Sequence, residues 1–352
     1  MDFEAEMVGT VAVPAKDQLD EAALDRWMRE NVSGYAGPPV LSRFKGGQSN
    51  PTYRIDTPAR SYVLRRQPFG QLLPSAHAVD REFRVIAALH PVGFPVPIPY
   101  GLCEDPTIIG SKFYVMGLAE GRNHWNGALP ASDPVERRAI YTAMTDTLAA
   151  LHRIDPAAVG LADYGKPGDY CVRQLGRWTK QYRLSETEPV PEMDRLIEFL
   201  TATVPPQLAN GITHGDYRLD NIILSANEPR VVAVLDWELS TLGDPIADFA
   251  NFLMGWVMEP DGRASIAGLD WAALGIPTID ETVARYEAQT GFTVPALEWY
   301  LAFSLFRITA ILQGIKKRVI DGNASSAHAA AMAEKVGPLA RTGWEWAVKA
   351  GA

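Results

Sequence analysis

Residues 211–248 of this 352-residue chain read GITHGDYRLDNIILSANEPRVVAVLDWELSTLGDPIAD. Two short apolar runs in this stretch, Ile222–Leu224 and Val231–Leu235, are rich in β-branched residues, and the turn-prone segment 225–229 separates them. Apolar runs joined by a short polar segment are typical of a β-hairpin. The stretch therefore predicts a hairpin with polar residues gathered at its open end.

Three polar side chains flank this predicted hairpin. Asp216 and Asn221 precede the first strand, and Asp236 follows the second. Because antiparallel strands place the start of one beside the end of the other, we expect the three side chains to lie close together. Carboxylate and amide oxygens suit a hard divalent cation such as Mg²⁺, and a carboxylate can also take a proton from a hydroxyl group. The alternative is a hairpin with solvated polar residues, but the second carboxylate stands where a second metal ligand would be needed.

The composition is typical of a globular enzyme and argues against several other classes. Hydrophobic residues make up 47% of the chain and charged residues 21%, and the net charge of −9 argues against a nucleic-acid-binding protein. The only cysteines, Cys103 and Cys171, belong to no metal-binding pattern, so we expect reduced thiols in a cytoplasmic protein. The N-terminus does not resemble a signal peptide, and no apolar run predicts a membrane span.

Around the hairpin, the chain divides into a β-rich part and a helical part, which is an α+β fold. Residues 38–118 predict five antiparallel strands with one main helix, and residues 119–352 predict a larger lobe in which the hairpin is the only clear β structure. Residues 1–37 predict a loose arm and a helix that Asp17 caps and that runs to about Asn31. The predicted strands and the main helix are Val40–Phe44, Thr52–Thr57, Ser61–Arg66, Gly101–Glu104, Lys112–Met116 and Ala76–His90.

The HGD sequence at 214–216, with Asn221 and the DWE sequence at 236–238, resembles the aminoglycoside phosphotransferase and choline kinase-like family. The fold of that family is similar to that of protein kinases, whose H-R-D-x-x-x-x-N and D-F-G motifs occupy the matching places. The resemblance covers about residues 38–320. It implies a bilobal protein-kinase-like fold, with a nucleotide-binding N-lobe at 38–118 and a C-lobe that carries the catalytic loop, the metal site and the acceptor site.

The same resemblance implies roles for individual residues of the C-lobe. Asp216 would orient or deprotonate the acceptor hydroxyl, and Asn221 and Asp236 would hold Mg²⁺ on the triphosphate of ATP or GTP. His214 would support the loop structurally. Arg218 stands where protein kinases carry a lysine that faces the transferred phosphoryl group, so it could neutralise charge as the bond breaks. The alternative for Arg218 is a surface arginine.

The residues expected to bind the nucleotide lie in the β-rich part. Glycines in the turn between the first two strands would let backbone N–H groups approach phosphates, although a simple hairpin turn would look the same. The resemblance places the phosphate-binding cation at Arg65 instead of the usual lysine, with Glu82 as its partner and with Arg66 pointing to solvent. It also implies a hinge at which backbone groups of Gly117 and Ala119 bind adenine. The predicted turn and pocket residues are Gly46, Gly47, Gln48, Ser49, Asn50 and Met116.

The amino-acid sequences of these motifs most resemble those of a subgroup that includes the kinase-like domain fused to acyl-CoA dehydrogenases. This implies a hydroxyacyl-CoA or a hydroxy acid as the acceptor. Segments expected to face the acceptor are 164–183, 256–270 and 300–318, in which basic and aromatic residues are frequent. Three hypotheses therefore stand: a kinase of an acyl-type hydroxyl, an aminoglycoside or sugar O-phosphotransferase, and a non-catalytic nucleotide-binding scaffold. The oligomeric state stays open.

Overall fold

The N-terminal lobe is built on one antiparallel sheet. The structure, a computed structural model, describes residues 7–46, 50–70, 77–258, 264–322 and 329–352. Among these residues, six strands form the sheet in the order β1-β2-β3-β4-β6-β5. The five predicted strands are confirmed, and two residues of the predicted arm add a sixth strand at the edge. The bounds are β1 Thr10–Val11, β2 Val40–Phe44, β3 Thr52–Asp56, β4 Ser61–Arg66, β5 Pro99–Cys103 and β6 Phe113–Gly117.

Strand β4 lies inside the sheet, and both of its faces are covered. It pairs with β3 on one side and with β6 on the other. Successive side chains of a strand point to opposite faces, so Tyr62 and Leu64 share one face with each other, and Val63 shares the other with Arg65. Helix α1 (Glu21–Asn31) packs on the first face, and helix α2 (Val79–Leu89) packs on the second.

The N-terminal helix begins later than predicted, which changes the surroundings of Arg66. Asp20 caps the helix, because its carboxylate accepts the Ala23 N–H at 2.8 Å. Asp17 lies buried in the preceding turn and pairs with Arg43 and, at 3.2 Å, with Arg66. Arg66 is fully buried, so its predicted exposure to solvent is wrong. Helix α1 and this turn cover the face to which Arg66 points, which the pattern of a single strand cannot reveal.

The C-terminal lobe is mostly helical, as predicted. Its long helix α9 (Leu297–Ile320) forms the centre of a large apolar core and packs against helices α4 (Tyr170–Ser185), α6 (Pro245–Val257) and α11 (Val336–Lys349). The predicted helix at 325–349 is two helices, α10 and α11. Over the described ranges, no helix has both the length and the apolar character needed to cross a bilayer. The bounds are α3 Pro134–His152, α4 Tyr170–Ser185, α5 Pro191–Ala202, α6 Pro245–Val257, α7 Trp271–Leu274, α8 Ile279–Thr290, α9 Leu297–Ile320, α10 Ala329–Ala333 and α11 Val336–Lys349.

The predicted hairpin is present, and a second strand pair accompanies it. Strands β8 (Ile222–Leu224) and β9 (Val231–Val234) form the hairpin. Strands β7 (Gly211–Thr213) and β10 (Thr241–Gly243) pair with each other, so the expectation of a single hairpin in this lobe is wrong. Three-residue strands are too short to show an alternating pattern. The additional pair joins the segment before Asp216 to the segment after Asp236, and it brings the two motif-bearing loops together.

Candidate active site

The loop that carries Asp216 is held from beneath by helix α6. The Asp248 carboxylate accepts the backbone N–H groups of His214 and Gly215 at 2.7 and 2.8 Å. The His152 ring lies 3.2 Å from the same carboxylate. Burial raises the pKa of the Asp248 carboxyl, but the hydrogen bond and charge of His152 and the backbone donors outweigh it and hold the pKa below its usual value. Asp248 is thus a charged support for the loop.

His214 joins this loop to the end of strand β9. Its Nδ1 lies 3.2 Å from the Asp216 backbone N–H and accepts it. Its Nε2 lies 2.8 Å from the Leu235 carbonyl oxygen. Since one ring nitrogen accepts, the other carries the proton that is donated to Leu235. His214 thereby fixes the distance between the Asp216 loop and the residue before Asp236, which is a structural role.

The open end of the hairpin gathers the three polar side chains, as the sequence predicts. The Leu235 N–H donates to the Asn221 carbonyl at 2.8 Å, so Asp236 follows directly beside Asn221. The Asn221 amide nitrogen donates to the backbone carbonyl of Asp216 at 2.9 Å and to its carboxylate at 3.1 Å. With the nitrogen so engaged, the Asn221 Oδ1 is the atom left to meet a cation.

Asp216 lies at the bottom of an opening in the protein. Its side chain is surrounded by protein atoms, but 36% of the side-chain surface is accessible, and the residue lines one of two adjoining cavities. Desolvation raises the pKa of the Asp216 carboxyl, and the charge of Arg218 opposes this rise. The Arg218 guanidinium lies 3.4 Å from Asp216 and 2.9 Å from Asp220. Arg218 lines both cavities, so it is not a simple surface arginine.

Arg65 crosses the cleft between the lobes. It forms the expected pair with Glu82 of helix α2, with 2.8 Å between Nε and the carboxylate. Its Nη2 also lies 2.5 Å from the Asp236 carboxylate and 3.5 Å from that of Glu238. Burial raises the pKa of the Glu82 carboxyl, and the Arg65 charge works against this effect. One guanidinium, with its several donors in a plane, therefore connects the N-lobe to the predicted metal ligand.

Two further side chains, whose contacts with Glu82 the sequence does not indicate, fix this glutamate. Asn50 donates to Glu82 at 2.7 Å, and the Tyr114 hydroxyl donates to it at 3.1 Å. The Asn50 side-chain oxygen in turn lies 2.9 Å from Nδ1 of His77. Asn50 is fully buried and turned toward Glu82, so in this structure its side chain supports the ion pair behind the cavity. The contact of Asn50 with phosphates stays a prediction.

A cavity of about 410 Å³ lies between the sheet and the hairpin. The Gly117 N–H is engaged with the Ile98 carbonyl at 2.8 Å, so adenine could meet only the carbonyl of this residue. The N-terminal residues 7–9, which the sequence leaves in a loose arm, also line the cavity. Gly47, Gln48 and Ser49 lie outside the described residues. The predicted site residues that line the cavity are Gly46, Arg65, Met116, Gly117, Ala119, Arg218, Asn221 and Asp236.

The second cavity, of about 570 Å³, is lined by Asp216 and shares Arg218 and Met332 with the first. Helices α3, α6, α9 and α10 contribute to its walls, and Asp216 is the only carboxylate among its lining residues in the described part of the chain. Of the segments predicted to face the acceptor, 256–270 and 300–318 contribute to the lining, but no described residue of 164–183 does. Its apolar lining includes Met144, Phe252, Met254, Met258, Ile308, Ile311, Leu312 and Ile315.

The donor set at the hairpin fits Mg²⁺ bound together with phosphates. Asn221 and Asp236 offer an amide oxygen and a carboxylate to the same cavity. Within the described ranges no group of three or more His, Cys, Asp or Glu side chains forms a metal cage. Mg²⁺ ordinarily takes one or two protein ligands beside substrate phosphates and water, which matches this pair.

The comparisons with known proteins agree with this geometry. The model of the phosphotransferase enzyme family, known as APH, matches residues 40–300. The chain belongs to this family. A crystal structure of a candidate aminoglycoside phosphotransferase from Ralstonia eutropha JMP134 is 49% identical, covers 94% of this phosphotransferase and 99% of that chain, and has a TM-score of 0.87. The chain therefore has the bilobal kinase-like fold of a family of phosphotransferase enzymes.

Two other similarities are relevant to the phosphotransferase. Acyl-CoA dehydrogenase family member 10 of Mus musculus is 43% identical over 348 residues, which cover 97% of this chain and 32% of that protein. The chain thus spans about a third of the length of this relative. Spectinomycin phosphotransferase, solved in complex with ADP and spectinomycin, has a TM-score of 0.61 at 12% identity and covers 94% of this chain and 98% of that one. At that identity the likeness shows the fold alone.

Proposed function

We propose that this phosphotransferase transfers the γ-phosphoryl group of ATP or GTP, bound as its Mg²⁺ complex, to the hydroxyl of a hydroxy acid or a hydroxyacyl-CoA. The position of Asp216 carries the proposal. Its carboxylate lines the apolar cavity and accepts a hydrogen bond at 3.1 Å from Asn221, which lines the cavity with the predicted metal ligands. A base between a nucleotide and an alcohol is what phosphoryl transfer to a hydroxyl requires.

Each residue at the junction has a task in this proposal. Asp216 accepts the proton of the acceptor hydroxyl and orients its oxygen toward the phosphoryl group. Arg218, which lines both cavities, neutralises the charge on the phosphoryl oxygens during transfer. Asn221 and Asp236 would hold Mg²⁺, which when bound supplies charge neutralisation on the phosphates. Arg65 keeps its contact with Glu82 and contacts the phosphates with its remaining donors.

The second cavity favours an acyl-type acceptor over an antibiotic. Most of its walls are apolar, and Arg307 and Lys335 add positive charge. An aminoglycoside is a polycation and needs several carboxylates around it, whereas Asp216 alone provides one among the described lining residues. An acyl chain would bury apolar surface against these walls. The base and the two predicted metal ligands at one junction also argue against a non-catalytic scaffold.

The test is transfer to a panel of acceptors. The enzyme is incubated with Mg²⁺ and either ATP or GTP in the presence of hydroxy acids, hydroxyacyl-CoAs, aminoglycosides, choline and sugars, and products are identified by mass spectrometry. We expect phosphorylated acyl acceptors, and a loss of about 10²–10⁴-fold in kcat for Asp216→Asn with nucleotide binding retained. Unchanged turnover in Asp216→Asn contradicts the mechanism. Transfer to aminoglycosides alone contradicts the proposed acyl-type acceptor. Nucleotide binding without transfer to any acceptor favours a non-catalytic nucleotide-binding scaffold.

A further inference from the structure

One buried arginine of the acceptor cavity has no acidic partner among the residues that the structure describes. Arg307, on helix α9, is 9% exposed and lines the cavity beside Asp216. Its Nη2 donates to the Gly215 carbonyl oxygen at 2.5 Å. Within the described parts of the chain, no carboxylate lies at ion-pair distance from its guanidinium. A buried charge without a counter-charge is costly, so its retention here calls for a physical reason.

The other buried arginines have ion pairs or several hydrogen bonds that satisfy their guanidinium groups. Arg65 is paired with Glu82, and Arg66 is paired with Asp17. Arg137 lacks a carboxylate but donates to four backbone carbonyls, those of Ala128, Leu129, Ser132 and Leu274. Arg307 makes one such bond among the described residues. A guanidinium has five N–H donors, so most of those of Arg307 are left for a molecule in the cavity.

We propose that Arg307 binds a carboxylate group of the acceptor, which narrows the proposed acceptor to a free hydroxy acid and rests on that proposed function. A carboxylate is planar and accepts two parallel hydrogen bonds from a guanidinium. It would supply the missing counter-charge only while the acceptor is bound. An ester or a thioester of the same acid lacks this negative charge.

The place of Arg307 also limits where the reacting hydroxyl stands on the acceptor. Its bond partner Gly215 directly precedes Asp216, and neighbouring Cα atoms are about 3.8 Å apart. Because Arg307 and Asp216 line the same cavity and contact the same loop, a short spacing between the carboxylate and the hydroxyl fits best. The remaining hydrocarbon would lie along Ile308, Ile311 and Ile315, which follow Arg307 on the same helix and line the same cavity.

The experiment compares acids with neutral esters of the same shape. Straight-chain hydroxyoctanoates, with the hydroxyl at successive carbons, are assayed beside their methyl esters and CoA thioesters. For the wild-type enzyme we expect kcat/KM to be at least about ten-fold higher for the best acid than for its ester. Arg307→Gln should remove this preference by lowering kcat/KM for the acid and leaving the ester nearly unchanged. Arg307→Lys, which keeps the charge, should restore part of it.

The controls separate recognition from support of the loop. Arg318→Gln changes an exposed arginine on the same helix and should leave the acid preference intact. Binding of hydroxyoctanoate and of ADP to each variant is measured by calorimetry, and thermal unfolding verifies the fold. An equal loss for acid and ester in Arg307→Gln would show that Arg307 only holds Gly215, and it overturns the inference. Wild-type binding of the acid without phosphorylation would count against the proposed function, while the acid-binding comparison still tests Arg307.

Discussion

The two halves of the cleft are built in opposite ways. On the nucleotide side, charged side chains from both lobes contact one another, with Arg65 in contact with Glu82 and Asp236. On the acceptor side, helices distant in sequence enclose an apolar cavity in which the charge of Arg307 lacks an acidic partner among the described residues. In the proposed function, the nucleotide half thus has its polar interactions formed in advance, whereas the acceptor half leaves the charge of Arg307 to be neutralised by the acceptor.

The two halves of the cleft have different tasks. Transfer of a phosphoryl group demands fixed positions for charge, and a network of ion pairs supplies that fixity. Recognition of an acceptor depends on the shape and polarity of a cavity. We therefore expect substitutions in the nucleotide half to lower stability and nucleotide affinity. Substitutions in the acceptor half should change only the KM or the specificity for the acceptor.

The largest effect is expected from removing the cation that spans the lobes. Arg65→Met leaves the buried Glu82 without its counter-charge, and such a change costs about 3–5 kcal/mol of unfolding free energy. Nucleotide affinity should fall as well. Urea denaturation and calorimetry with ADP measure the two effects. Arg65→Lys should lose less unfolding free energy and less affinity for ADP, because the ammonium group can still pair with Glu82.

A matched surface pair provides the control for this prediction. Arg54 pairs with Asp56, and the two side chains are 40% and 43% exposed. Arg54→Met should cost less than about 1 kcal/mol of unfolding free energy, because exposed ion pairs contribute little. Equal losses of unfolding free energy for Arg54→Met and Arg65→Met would mean that the ion-pair network in the cleft stabilises the fold no more than an exposed ion pair does.

A smaller effect is expected in the acceptor half. Ile311→Asp places a carboxylate in the apolar wall of that cavity, and Ile311→Asn places a group of the same shape without charge. For a hydroxy acid, we expect KM to rise about ten-fold more with Asp than with Asn, because like charges repel in a partly desolvated site. The KM for the nucleotide should stay unchanged in both variants. A rise in nucleotide KM would show that the two halves are not independent.

The smallest effect concerns the pH dependence at the junction. Asp216 accepts a proton only when it is ionised, and desolvation raises the pKa of its carboxyl while Arg218 lowers it. The value of kcat/KM should therefore fall as the pH falls through a pKa above the ordinary aspartate value of about 3.9. Arg218→Gln removes the lowering influence, so this acid limb should move to higher pH. A pH–rate profile in which the limb moves to lower pH would contradict this assignment of charges.

The sequence predicted well which polar residues meet at the open end of the hairpin, because these residues are close in sequence. Asp216, Asn221 and Asp236 lie on one hairpin, so the pairing of two strands was enough to bring them together. The support of Glu82 by Tyr114 was not predicted, since it joins a strand to a helix. The burial of Arg66 was not predicted either, since its partner Asp17 lies in a turn before helix α1, far from Arg66 in sequence.

The kinase-like fold, the family and the polar residues at the end of the hairpin follow from the amino-acid sequence alone, because hydrophobic periodicity and short motifs are local properties of a chain. Two other features depend on the packing of the whole protein: Arg65 contacts Asp236 across the cleft, and Arg307 lines the proposed acceptor cavity without an acidic partner among the described residues. Both facts depend on which distant elements pack together. The charge that surrounds a side chain is a property of that packing.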